Sequence, residues 1–214
     1  MKKKEIDPFN WDSISIQKYY DINDILNGDE DDITKNVRLV ALIMDKDESE
    51  VWDMDLAEVG GYIAKLQFLN KFDLPQNTSL KINLPNYKLY VMKDLTKINI
   101  AQYVDYQNFA QMGLRDGIEK ILSIFLIPEG CSYNTGYDII DLQKEIREHM
   151  SFRVAEGLLG FFLKRYSELL IRSLVYCRRM MKKTKNLEKK EKLEKEMKEL
   201  EVRVEHLIHL LGSY

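Results

Sequence analysis

Few residues in this chain have side chains that could catalyse a reaction or bind a metal. His206 and His209 stand three residues apart with Glu205 beside them, a spacing that would place potential metal ligands on one helix face. A metal site needs further ligands, and no other group stands at a matching spacing. We therefore predict a solvated helix face at this position, with no bound metal and no cofactor.

The two cysteines give equally weak signals for chemistry. Cys177 is followed by Arg178 and Arg179, which would lower the pKa of its thiol, but a lone thiol without a neighbouring base is poor evidence for nucleophilic catalysis. Cys131 lies in a segment rich in glycine and small polar residues, typical of a loop. The Gly60-Gly61 pair lacks the strand, spacing and lysine of a phosphate-binding loop. We expect no enzymatic activity.

The surrounding sequence predicts a mainly helical protein. The chain has 214 residues, of which 45% are hydrophobic, with only 10 glycines and 4 prolines. Ser15 is predicted to cap the first helix, and Thr34 is predicted to cap the second. Ser151 is predicted to cap a later, long helix. No apolar run approaches the roughly 18 residues that span a bilayer, so we expect no membrane partner.

One segment has the alternating pattern of β-strands. Residues 80–92 alternate apolar and polar side chains around Pro85-Asn86, which predicts a two-stranded β-hairpin. Such a hairpin is only marginally stable in isolation, so it must pack on the helices or pair with another chain. Helical periodicity resumes after it, including a helix predicted over 117–127.

The chain contains a weak internal repeat with an offset of 84 residues. Residues 13–21 align with 97–105, and both read Ile, polar cap, Ile, two residues, Tyr, one residue, Asp. If the similarity is not a coincidence among helical segments, two three-helix units should superpose. The predicted organisation follows from this repeat: a first helical unit (1–70), a β-hairpin segment (71–96), a second helical unit (97–181), and a charged amphipathic C-terminal helix (182–214).

The net charge of −3 conceals an uneven distribution of charge. Residues 21–58 carry 13 acidic and 3 basic side chains, whereas residues 178–198 carry 10 basic and 4 acidic ones. Solvated helix faces, screening within one chain, or head-to-tail complementarity between copies would each account for this pattern. The glutamates interleaved with the basic residues argue against nucleic acid as the main partner.

The C-terminal helix carries an apolar seam with heptad spacing. The seam consists of Leu193, Met197, Leu200, Val204, Leu207 and Leu211. It is shorter than the three to four heptads expected of an autonomous coiled coil. The seam therefore packs on the chain's own preceding helix or forms a contact with another protein, and its residues are our candidate protein-contact site.

Three loose motifs resemble a group of bacteriophage proteins. The first is Trp-Asp-x-Ile-x-Ile-x-x-Tyr at 11–19, and the second begins with Leu-Thr and ends with Gln-Tyr-x-Asp over 95–105. The third is Ala-Glu-Gly-x-x-x-Phe-Phe at 155–162. Similar proteins are encoded near the tail and portal genes of tailed phages, including crAss-like phages.

The resemblance implies a non-enzymatic protein that acts through protein–protein contacts. We expect a virion component, structural or cargo, associated with the portal or tail and present in several copies. It would be found in the virion, and in the host cytoplasm during assembly, with other phage structural proteins as partners. Two alternatives remain: a tail assembly chaperone absent from the mature virion, and a small helical regulatory or nucleic-acid-binding protein.

Overall fold

The computed structural model is mainly helical, as predicted, with one small antiparallel sheet. It describes residues 7–71, 79–110, 117–184 and 186–212, and of residues 107, 110 and 203–212 it describes the backbone alone. The α-helices within these ranges are α1 (Ile16–Asn27), α2 (Asp32–Met44), α3 (Glu48–Trp52), α4 (Leu56–Lys65), α5 (Ile100–Ala110), α6 (Ile118–Phe125), α7 (Ile139–His149), α8 (Phe152–Lys183) and α9 (Leu187–Gly212). The strands are β1 (Lys81–Asn83), β2 (Lys88–Val91) and β3 (Leu126–Pro128).

Side-chain caps fix where several helices begin. The Ser15 hydroxyl accepts a hydrogen bond from the backbone N–H of Lys18 at 3.2 Å, and the Ser151 hydroxyl accepts one from Val154 at 3.3 Å. Both predicted caps are confirmed. The cap of α2 is Asp31 rather than Thr34, since the Asp31 carboxylate accepts from the second and third backbone N–H groups of the helix.

The predicted hairpin is confirmed, and it pairs with a third strand that was not predicted. β1 and β2 are antiparallel, with Ile82 opposite Leu89, and β2 also pairs with β3, with Tyr90 opposite Ile127. The helix predicted over 117–127 therefore ends early, at Phe125. The third strand supplies the partner that an isolated hairpin lacks, because it satisfies the backbone groups along the other edge of β2.

The first segment also contains a short helix and a 3-10 turn. The short helix α3 begins within the polar stretch 45–50. α4 ends at Lys65, and the chain continues as a 3-10 turn over Leu66–Asn70. Gly60 and Gly61 lie within α4 without interrupting it. No other element packs closely against them, because a β-carbon at either position would meet nothing within 4 Å.

The first phage-like motif lies in the core. Ile14 and Ile16 are buried, and their backbones pair with the segment that joins α7 to α8. The Ile16 N–H donates to the Met150 carbonyl at 3.2 Å, and the Phe152 N–H donates to the Ile14 carbonyl at 2.7 Å. The motif thus ties the start of α1 to the start of α8.

A buried ionic network connects α1, α6 and α7. Glu119 is 1% exposed and accepts hydrogen bonds from the Tyr20 hydroxyl, at 2.9 Å, and from the Arg147 guanidinium. The Tyr20 oxygen also accepts from the Ile118 N–H at 3.1 Å. Burial, reinforced by the Glu119 carboxylate, raises the pKa of Tyr20, so the phenol stays protonated and keeps donating.

The chain divides into two compact units. The N-terminal unit comprises Met1–Met92 and Ile100–Leu158, and the C-terminal unit comprises Lys93–Asn99 and Leu159–Tyr214. These bounds cut across the predicted segments 71–96 and 97–181. The compact units are defined by contacts between residues distant in the sequence, and such contacts join parts of the two predicted helical units. The predicted segments were defined by sequence similarity instead.

The helix order partly parallels the predicted repeat. α1 and α5 begin 84 residues apart, α2 and α6 begin 86 apart, and α4 and α7 begin 83 apart. The environments of equivalent residues differ, because Ile16 is fully buried whereas Ile100 is 84% exposed. Superposition of the two helical units stays a prediction.

Candidate protein-contact surfaces

The C-terminal unit contains a helical hairpin in which α9 runs back along α8. The Arg178 guanidinium on α8 donates to the Glu201 carboxylate on α9 at 3.1 Å. The two helices and Thr96 also share a groove of about 600 Å³. Its lining includes Leu169, Arg172, Ser173, Tyr176, Cys177, Glu196, Glu199 and Leu200.

Part of the apolar seam on α9 is covered within this hairpin. Leu193, Met197 and Leu200 are half-buried, and Leu200 lines the groove. Val204, Leu207 and Leu211 belong to α9, but their side chains lie outside the described part of the chain, as do those of His206 and His209. Packing of α9 on its own chain thus covers part of the seam. The assignment of these residues as contacts with another protein stays a prediction.

Cys177 is buried on the same side of α8. The residue is 6% exposed, and burial, followed by the nearby Glu196 carboxylate, raises the pKa of its thiol. The sequence had indicated the opposite shift from Arg178 and Arg179. Both arginines are exposed to solvent, where water screens their charge, so desolvation of the thiolate decides the direction. A thiol in this environment is a structural side chain and a poor nucleophile.

Another face of α8 combines exposed apolar and basic side chains. Ile171 is 51% exposed and Val175 is 59% exposed, and neither lines the groove beside α9. Arg179 and Lys182 follow at helical spacing and are also exposed. We call Ile171, Val175, Arg179 and Lys182 the basic face.

The N-terminal unit has a surface of opposite charge that also exposes large apolar side chains. Leu26, Ile33, Trp52 and Leu56 are all exposed, Leu56 at 88%. They stand at the end of α1, the start of α2, the end of α3 and the start of α4, among the carboxylates of residues 21–58. We call these four side chains, with those carboxylates, the acidic surface.

The three cations within residues 21–58 are already engaged by local partners. The Arg38 guanidinium contacts Glu30 at 2.5 Å and Glu48 at 3.1 Å. Lys46 lies 3.5 Å from Glu50, and the Lys35 ammonium donates to a backbone carbonyl. From outside the segment, Lys18 of α1 pairs with Asp45 at 2.7 Å. Most of the other carboxylates have no cation from this segment, so the acidic surface carries a surplus of negative charge.

Part of that surplus lies where α1, α2 and α3 meet. A groove of about 470 Å³ lies there, lined by Asp21 and Asp24 of α1 and by Asp47 and Glu48 at the start of α3. Arg38 and Lys46 line it as well, so four carboxylates face two cations and a net charge of −2 remains. That remaining negative charge favours a cationic side chain of a partner.

The described residues contain no group of three or more histidine, cysteine or acidic side chains able to hold a metal ion. None of the helices among them has the length and apolar composition of a membrane span. No protein-family model, curated protein or solved structure matches the chain.

Proposed function

We propose that this chain is a non-enzymatic bacteriophage protein that acts through protein contacts, as a virion component associated with the portal or tail. The observation that carries the contact role is the exposure of large apolar side chains on two charged surfaces. Singly exposed apolar residues are ordinary. Two of them share one face of α8 and four fall within the acidic segment 21–58, a grouping that favours sites where a partner binds.

The phage assignment is supported by the motifs that carry the resemblance. Several of their apolar residues are buried: Ile14 and Ile16 in the first motif, Leu95 in the second, and Ala155 and Phe162 in the third. Buried motif residues specify packing, so the resemblance is one of fold. The partners proposed on this basis are portal or tail components, with several copies of this chain per particle.

Quantitative mass spectrometry of purified phage particles tests the proposal. We expect the chain in mature virions at a fixed ratio to the portal protein. Its absence from virions, together with its presence in lysates of infected cells, would favour a tail assembly chaperone and would contradict the virion role.

The exposed basic residues of α8 and α9 give a nucleic-acid role one observation in its favour. Arg179, Lys182 and Lys189 are all exposed. Fluorescence anisotropy with labelled DNA at low salt separates the two roles. We expect no saturable binding, because glutamates are interleaved with the basic residues; tight binding that weakens steeply with salt would favour the nucleic-acid alternative.

A further inference from the structure

We infer that the basic face of one copy docks on the acidic surface of a second copy, so that the chain associates head to tail. This inference rests on the proposed function only in treating both surfaces as protein contacts. It names the partner of each surface: the other surface, on another copy of this chain.

The charge of each surface indicates which partner it fits. The basic face places Arg179 and Lys182 beside exposed Ile171 and Val175, so its partner must offer carboxylates together with apolar side chains. The acidic surface has both, and its local cations are already engaged. It also exposes Trp52, a residue type that often dominates the energy of protein interfaces.

The opposite charges of the two surfaces also favour a heterologous contact over a symmetric one. Two basic faces, or two acidic surfaces, would repel one another, so an isologous dimer through either surface is unfavourable. The two surfaces share no residue and belong to different units of the chain, so a contact of one with the other is heterologous. Such heterologous contacts produce a closed ring if the rotation closes and an open filament if it does not.

Sedimentation velocity of the purified full-length chain gives the first test. We expect the average mass to rise with concentration up to about 1 mM, the range of weak specific association. We expect the dissociation constant to increase by about tenfold or more between low and high salt, because salt screens exposed charges. A chain that stays monomeric throughout this range at low salt would overturn the inference.

Two variants then test the surfaces separately. The first reverses the charge of the basic face with Val175→Glu and Arg179→Glu, and the second replaces two apolar side chains of the acidic surface with cations, by Ile33→Lys and Leu56→Lys. All four side chains are exposed, so the fold should persist, and circular dichroism checks this. We expect each variant to associate about tenfold or more weakly than the wild type, and Arg179→Glu alone to show a smaller change in the same direction.

Matched controls exclude a general effect of added charge. Ile100 is 84% exposed and is the first residue of α5, just as Leu56 is the first residue of α4. Ile100→Lys therefore adds a lysine in the same helical position as Leu56→Lys. Ile140→Glu introduces a glutamate at an exposed apolar position of α7. Both control proteins should associate like the wild type.

A mixing experiment gives the decisive result. Each surface variant keeps one intact surface, so an equal mixture of the two should form a one-to-one dimer that grows no further. A mixture that stays monomeric, or surface variants that associate like the wild type, would overturn the inference. These outcomes are independent of the particle analysis, so a self-associating chain absent from virions would contradict the proposed virion role alone.

Discussion

Removal of the cation from the buried network should destabilise the N-terminal unit. The substitution Arg147→Met keeps the unbranched apolar stem of the side chain and leaves the Glu119 carboxylate, which is 1% exposed, without its guanidinium. Glu119 would retain the Tyr20 hydroxyl as a donor, at 2.9 Å. One neutral donor does not replace the charge of the arginine.

The expected loss can be bracketed from burial. Breaking a fully buried ion pair by removing one partner costs about 3–5 kcal/mol. The Arg147 side chain is 38% exposed, so water already screens the pair on one side and replaces part of the lost interaction. We therefore expect the free energy of unfolding to fall by about 2–3 kcal/mol.

Urea unfolding followed by tryptophan fluorescence measures this loss, because Trp11 and Trp52 both belong to the N-terminal unit. The matched control is Arg153→Met. The Arg153 side chain is also 38% exposed, but its partner Asp12 lies 3.4 Å away and is 63% exposed. That pair should contribute less than about 1 kcal/mol.

A double variant separates the buried charge from lost packing. Adding Glu119→Gln to Arg147→Met removes the uncompensated charge and should restore part of the stability. Equal losses in Arg147→Met and the Arg153→Met control, or no recovery in the double variant, would refute the view that the buried carboxylate makes this network essential.

Three further predictions follow from local environments. Gly60→Ala and Gly61→Ala should each stabilise the protein by about 0.5–1 kcal/mol in thermal or urea unfolding, because both glycines are exposed within α4 and an added β-carbon meets nothing; a loss of stability would contradict that geometry. Truncation after Thr184 removes α9 and should speed the reaction of Cys177 with a thiol reagent, since Glu196 and Leu200 share its groove; an unchanged rate would show that α9 does not cover the thiol. The raised pKa of Tyr20 means that the unfolded state loses its phenolic proton first, so stability from this residue is fully present below the ordinary value of 10.0 and falls as the pH rises above it; Tyr20→Phe should make this alkaline fall shallower, and an unchanged slope would contradict the assignment.

Local signals in the sequence predicted many elements correctly. Ser15 and Ser151 precede amphipathic helices, and the alternation around Pro85-Asn86 fixes the hairpin, because each depends on neighbouring residues alone. The third strand was missed for the same reason. Residues 121–127 are apolar except for Ser123, a pattern that fits a buried helix or a buried strand equally well, and the choice depends on β2, which is distant in the sequence.

The candidate surfaces were only partly visible in the sequence. The uneven charge showed directly, but exposure of Trp52 and Val175 depends on which helix faces the fold covers. The apolar seam was found from its spacing, yet spacing does not reveal that Leu200 faces α8. The pairing of Tyr20 with Glu119 left no signal, because 99 residues separate them.

Covalent coupling between copies tests the central claim of a head-to-tail contact most directly. A carbodiimide joins carboxylates to lysines without a spacer, and an equal mixture of unlabelled and isotope-labelled chain distinguishes links between copies from links within one. We predict mixed-isotope links that join carboxylates of residues 21–58 to Lys182 of the basic face. If such links occur only within one isotope type, or do not occur at all, the head-to-tail contact is contradicted.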